Sequence, residues 1–435
     1  MTKKTRYFLL AACVLFFLIV APLMVLYVRG VTFNFKTRTF VATGILAVRS
    51  VPNNVDVYLD GRQSRSSAGD LRFVAPGEHE VTLKKTGYGD WSKRLLVEPG
   101  QVVWANPTFG SIYLLMSKPP VVSIATGVRD FYYQNGRALL LTKNNLLTVS
   151  GAGLKNQQIF ALPQPADSII ADDAGGKNFI LSDEQNASAT PAYLFFNADS
   201  GKFTRLSGLF SGQTEFKFSG SGQLYALNKE VLYSVDPENL AKNPLFDEVD
   251  TFSLQGSSVY FIQSSATGTP ALIVSQAPFN QTQTLFASLP PFGKAQIFIT
   301  YQKQIFLLAD NNLYLLNNSM QELADNVSLC QFEPSSSLLA VLHSGELDYF
   351  DPLSGNLNFV TRSSAALSNL QIRPGIGYAI FQKDQKIDAV ELDTRDRQNQ
   401  YVLYNGTDIK KSVTDSNGQN LIVLDGDELK IVTIR

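Results

Sequence analysis

The chain has 435 residues, with 37 Lys+Arg against 38 Asp+Glu and a formal net charge of −1. That balance excludes a basic wrapper of nucleic acid, and a hydrophobic content of 45% excludes general disorder. The charge is unevenly placed: residues 1–41 hold Lys3, Lys4, Arg6, Arg29, Lys36 and Arg38 and no acid, so the other residues together carry −7.

Residues 7–28 contain no charged side chain. About 20 such residues cross the hydrocarbon core as a helix. Tyr7 and Tyr27 mark its ends, where amphipathic rings favour the interface, and Pro22 is tolerated inside a membrane helix. A cleaved signal peptide would have a shorter apolar region and a small-residue cleavage site, neither of which is present. The run Leu10-Ala11-Ala12-Cys13 imitates a lipidation site, but most of the apolar stretch follows Cys13 instead of preceding it. Positive charges are equal on the two flanks, so the very short basic N-terminus decides the orientation. Residues 1–6 are expected in the cytoplasm, 7–28 across the membrane, and the body outside.

After a stalk over 29–43, residues 44–108 alternate in short strands broken by turns, the pattern of a small β-sandwich. Val55 and Val57-Tyr58-Leu59 run into the Asp60-Gly61 turn. Ala75-Pro76-Gly77 opens the next long strand, and Thr86-Gly87-Tyr88 and Glu98-Pro99-Gly100 punctuate the rest. Ser50-Val51-Pro52, the Val55-to-Gly61 strand and turn, Ala75-Pro76-Gly77-Glu78-His79 and Lys85-Thr86-Gly87-Tyr88 together resemble the PEGA domain. That resemblance implies a β-sandwich of microbial surface proteins. The sequence departs from the family pattern at Asn53-Asn54 and in a Ser- and Arg-rich loop over 63–69.

Residues 109–435 repeat. Alternating first strands begin near Arg129, Ser168, Glu215, Thr251, Gln296, Leu329, Leu370 and Lys411, a spacing close to the roughly 40–45 residues of a four-stranded propeller blade. Clear inner hairpins run over 216–227, 330–341 (with a turn at Pro334) and 412–423. Asp310-Asn311 reads as a tight second turn. Asp351 to Gly355, Asn197 to Gly201 and Asp236 to Asn239 read as third turns. These units resemble the WD40-like propeller repeats of bacterial envelope proteins. The last unit supplies three strands, so an earlier strand must complete it, and residues 111–116 are the expected one. The expectation is an all-β chain with one transmembrane helix, a PEGA-like sandwich and a propeller of eight blades, or seven if one weak unit is misread.

Candidate chemistry is sparse. With two Cys and two His, a Cys/His zinc site is close to excluded, and Cys13 and Cys330 are not expected to meet. His79 and His343 lack a nucleophile motif. Asp172-Asp173 and the Asp425-Asp427-Glu428 cluster fall in expected hairpin turns, where Asp is favoured for backbone reasons. No catalytic, cofactor-binding or metal residue is therefore assigned, and no cofactor is expected. The Phe and Tyr residues read as inter-blade packing. Residues 44–108 carry +1 and 109–435 carry −8, a poor balance for phosphate. The expected function is a non-enzymatic, membrane-anchored binding or scaffold protein at the cell envelope, with a protein or glycan partner and no nucleic acid. The alternative is a propeller hydrolase or lyase acting on envelope polysaccharide, which would need carboxylates converging at the propeller axis.

Overall fold

A computed structural model describes residues 3–435 apart from 29, 35–37, 66, 135, 151–155, 174, 184–190, 265–268, 301–302, 334–337, 353 and 374. Arg29, Lys36 and the Pro334 turn lie outside the described residues.

One helix, Lys3–Val28, carries the apolar run, with Pro22 inside it. Its 26 residues extend about 39 Å at 1.5 Å each, and its large apolar side chains are exposed on all sides. The stalk is more ordered than its sequence suggests. Val31–Asn34 and Thr39–Ala42 pair antiparallel, and the Phe33 and Phe40 rings meet edge to face. At the helix end, Tyr27 packs on Phe73 of the following module with ring centroids 5.0 Å apart.

That module is a sandwich. One sheet orders Arg62–Arg65, Asp56–Leu59, Gly77–Lys84 and Trp91–Val97; the other orders Val102–Trp104, Gly44–Ala47 and Asp70–Val74. Leu46, Val57, Val81, Leu83, Trp91, Leu95 and Val97 fill the space between them. The expected loop over 63–69 begins as a strand, Arg62–Arg65, and its side chains are all exposed. Charged and polar side chains on such an edge discourage pairing with another chain.

Apart from a short pair linking Ser50–Val51 and Ile112–Tyr113, the remaining strands form eight four-stranded sheets among the described residues, with first strands starting at Val128, Ser168, Glu215, Val249, Ala295, Val327, Leu367 and Ile409. Each start lies within three residues of its sequence expectation. Eight apolar clusters sit between consecutive sheets. The last joins Ile422, Leu424 and Leu429 of blade 8 to Val128, Phe131 and Leu140 of blade 1. Every blade is thus packed on both neighbours and the ring is closed. Second strands are buried on both faces, as in Leu338–His343 and Asn420–Asp425, which is why they read as continuous apolar runs. Outer strands such as Asn156–Ala161 are mostly exposed.

Closure occurs as expected in kind but not with the expected strand. Val121–Ala125 pairs with Glu428–Thr433 and completes blade 8. Within 111–116, Ile112–Tyr113 instead lies parallel to Ser50–Val51 of the sandwich, and Ile112 and Leu114 are buried in the sandwich core. Leu115 turns the other way, into the core between blades 7 and 8. Apolar alternation fixes the strand but not the neighbour it serves.

The turns show what replaces a strict repeat motif. Asp173, Ser219, Thr300 and Asp415 each end a first strand. Their side-chain oxygens accept the amides of Lys177 at 2.8 Å, Gln223 at 3.1 Å, Gln304 at 3.0 Å and Gln419 at 2.7 Å, always four residues on. A carboxylate or a hydroxyl serves equally, so the geometry repeats while the letters vary. Third turns are closed by Asn197, Asp236 and Asp351, whose side chains accept the amides of Ser200, Asn239 and Ser354.

Candidate functional site

First-to-second and third-to-fourth connections of each blade share one end of the ring, because strands one and three run in the same direction. The sandwich docks on that face, at blade 7. The contacting strand, Trp91–Val97, turns Trp91, Lys93, Leu95 and Val97 inward. Lys93 is fully buried. Its ammonium lies 3.1 Å from Glu391 Oε2, 3.1 Å from Asp393 Oδ2 and 2.7 Å from the Asp393 carbonyl, which uses all three donors. The Trp91 indole N–H donates to Glu391 Oε1 at 2.8 Å. The amides of Ser92 and Arg94 donate to Asn399 and Asp396. Arg395 clasps the Asp393 carboxylate and donates to the Ala105 carbonyl at 2.8 Å. Burial pushes the Asp393 carboxyl up, but Arg395 and Lys93 outweigh it and hold it below its usual range. Nearby, Gly89 passes so close to Tyr401 that a Cβ would stand 2.4 Å from a ring carbon.

Around the axis, innermost strands have one edge without a ladder partner. Side chains of the adjacent blade satisfy it in part. The Ile169 amide donates to Asp130 Oδ2 at 2.8 Å, Lys217 Nζ donates to the Phe252 carbonyl at 2.5 Å, and Gln371 donates to the Ser412 carbonyl at 3.0 Å. Arg373 donates to Thr414, and Lys411 pairs with Asp130 at 2.7 Å. Asp172 faces solvent, yet the surrounding protein pushes its carboxyl up to about 6; Asp173 adds to the shift, while Tyr132 and Lys411 oppose it.

On the sandwich-bearing face, a cleft of about 490 Å³ opens between blades 1 and 2. Tyr132, Gln134, Arg137, Gln158, Gly176 and Asp199 are among its lining residues. Its volume falls in the range of small-ligand sites, roughly 300–1,000 Å³, and its walls offer amide, guanidinium and carboxylate groups beside an aromatic ring. Sequence reasoning did not identify this cleft, because its residues come from strands and turns of two blades.

Several residues weighed from the sequence prove to be held by structural bonds. His79 places one ring nitrogen 2.7 Å from Asp60 and the other 2.7 Å from the Ala75 carbonyl. Asp173 caps a turn, as above. Asp425 accepts the Thr407 and Asp408 amides and the Tyr404 hydroxyl, and pairs with Lys430. These bonds hold its carboxyl well below the usual range against the opposing effect of burial. Cys13 and Cys330 are both free thiols, and burial pushes Cys330 up to about 12. Among the described residues, only His343, Glu346 and Asp348 bring three potential metal-ligating side chains together, and they lie in blade 6 away from the innermost strands. Lys93, Glu391 and Asp393 were missed. A signal was available in the strand phase, since Lys93 alternates in step with Trp91 and Leu95.

The PEGA domain family matches residues 43–111. No curated protein matches the sequence. Among solved structures, the chain is similar to the Dos1 propeller at a TM-score of 0.51 and 12% identity, covering 73% of this chain and 95% of that one. It is also similar to a crystal structure of a eukaryotic initiation factor at 0.50 and 12%, covering 74% and 88%. At such identity the likeness is one of fold alone. The chain joins a PEGA domain to an eight-bladed β-propeller.

Proposed function

We propose that this protein is a membrane-anchored scaffold that holds a propeller at a fixed height and orientation outside the cytoplasmic membrane and binds an envelope protein or glycan. The observation that carries this reading is the buried Lys93–Glu391–Asp393 junction, which ties the sandwich to blade 7 in a single arrangement. A flexible tether would have no use for it. The apolar helix beside the sandwich supplies the anchor. The cleft between blades 1 and 2 supplies a polar binding surface on the face toward the membrane. At the axis, Asp130 is paired with Lys411 and Glu215 with Lys217 at 2.7 Å, so these two carboxylates are neutralised by neighbouring ammonium groups.

The test is site-specific photo-crosslinking in intact envelopes. A crosslinker at Gln158 in the cleft should capture a defined protein or glycan fragment, whereas one at Gln321 on the outer strand of blade 5 should not. Equal capture from both positions, or none from Gln158, contradicts the reading. Protease added to cells stripped of any outer barrier should digest the body; a body that survives while the purified protein is cut contradicts the orientation.

A further inference from the structure

The second and third strands of blade 6, Leu338–His343 and Glu346–Asp351, form a hairpin in which His343 pairs with Glu346. Residues 346 and 348 are two apart on one strand and so share a face, and His343 lies opposite on that same face. A ligating atom from each of His343, Glu346 and Asp348 lies within 4.8 Å of the other two. His343 Nε2 is 3.0 Å from Asp348 Oδ2. The second carboxylate oxygen, Asp348 Oδ1, is buried without a hydrogen-bond partner, in a residue only 8% exposed. Buried carboxylate oxygens are ordinarily paired, so this one calls for a donor or a cation.

We propose that His343, Glu346 and Asp348 form a binding site for a divalent transition-metal ion of the zinc type. One imidazole and two carboxylates are a donor set that such ions accept. Calcium and magnesium, which take more ligands and all of them oxygen, fit it poorly. Metal–ligand bonds of roughly 2.0–2.2 Å place donors within about 4 Å of one another, so a small inward movement of the side chains completes the site, and Glu346 is placed to make it. Its present partner, Arg362, is mostly exposed and free to swing away into water. Three protein ligands leave a fourth position open. The hairpin turn at 344–345 lies on the face opposite the sandwich, so a donor from a second molecule has access to that position. The metal site does not depend on the scaffold reading.

The test is titration of the full-length protein in detergent with Co²⁺, whose visible absorption reports tetrahedral nitrogen and oxygen ligation, followed by competition with Zn²⁺. The wild type and His79→Ala should each bind one ion per chain. His343→Ala and Glu346→Gln should each weaken binding at least tenfold with an unchanged far-ultraviolet circular dichroism spectrum. Two results overturn the proposal: no saturable one-to-one binding by the wild type, or wild-type affinity retained in a folded His343→Ala protein.

Discussion

Lys93 of the PEGA domain and Glu391 of blade 7 form an ion pair at 3.1 Å, with the side chains 0% and 4% exposed. Removing one member of a buried pair leaves the other charge stranded, at a cost of about 3–5 kcal/mol. Lys93→Ala should therefore loosen the whole docked surface. By calorimetry the single unfolding transition of the wild type should split in two, with the PEGA domain melting first. Limited proteolysis should newly cut near 117–120.

Ring closure depends on one outer strand. Val122 faces Ile431, and the Thr433 amide donates to the Pro120 carbonyl. Antiparallel alternation then makes Val122 and Ile431 a hydrogen-bonded pair. Val122→Pro removes that bond and leaves the Ile431 carbonyl without its partner, and should cost about 1–3 kcal/mol. Hydrogen exchange should accelerate along Glu428–Thr433 and at the boundary of blades 8 and 1, and not in blades 3 to 5.

Asp172 gives a pH signature with a definite sign. Its carboxyl is raised to about 6 in the fold from an unfolded value near 3.9. The folded state is therefore favoured by the proton, and this contribution is lost as pH rises from about 4 through 6. Asp172→Asn should be more stable than the wild type at pH 8 by on the order of 1 kcal/mol, after discounting for solvent screening at an exposed side chain. The gap should close by pH 4, as read from denaturant midpoints.

Asp425 works in the opposite sense. Its carboxyl is depressed, so its contribution is present above the unfolded value near 3.9 and is lost as pH falls below it. Asp425→Ala strands the Tyr404 hydroxyl, two amides and Lys430, and should cost about 2–4 kcal/mol at pH 7. Chemical denaturation at pH 7 and pH 3 measures both, and the penalty should be smaller at the lower pH.

Much of this architecture was legible in the sequence. The eight blade starts were readable because second strands such as Leu338–His343 are buried on both faces and appear as unbroken apolar runs. The PEGA turns were readable because Asp60-Gly61 and Pro76-Gly77 are turn chemistry. The closing strand was not, since the exposed Val121–Ala125 carries a weaker pattern than residues 111–116. The junction was hidden for another reason. Asp393 lies 300 positions from Lys93, and a Lys-Arg pair in a strand reads as a solvated edge unless its phase is followed. The cleft is invisible as a motif because folding brings its residues together from two blades. The His343 cluster is local to one hairpin, and it was missed because His343 was weighed without Glu346 and Asp348.

The central claim is that the PEGA domain and the propeller are one body. Spin labels at Arg62, on the exposed edge of the sandwich, and Gln321, on the outer strand of blade 5, report on it directly by pulsed dipolar spectroscopy. One narrow distance distribution in the wild type, broadened by Lys93→Ala, is the predicted result. A broad distribution in the wild type, or one unchanged by Lys93→Ala, would contradict the account.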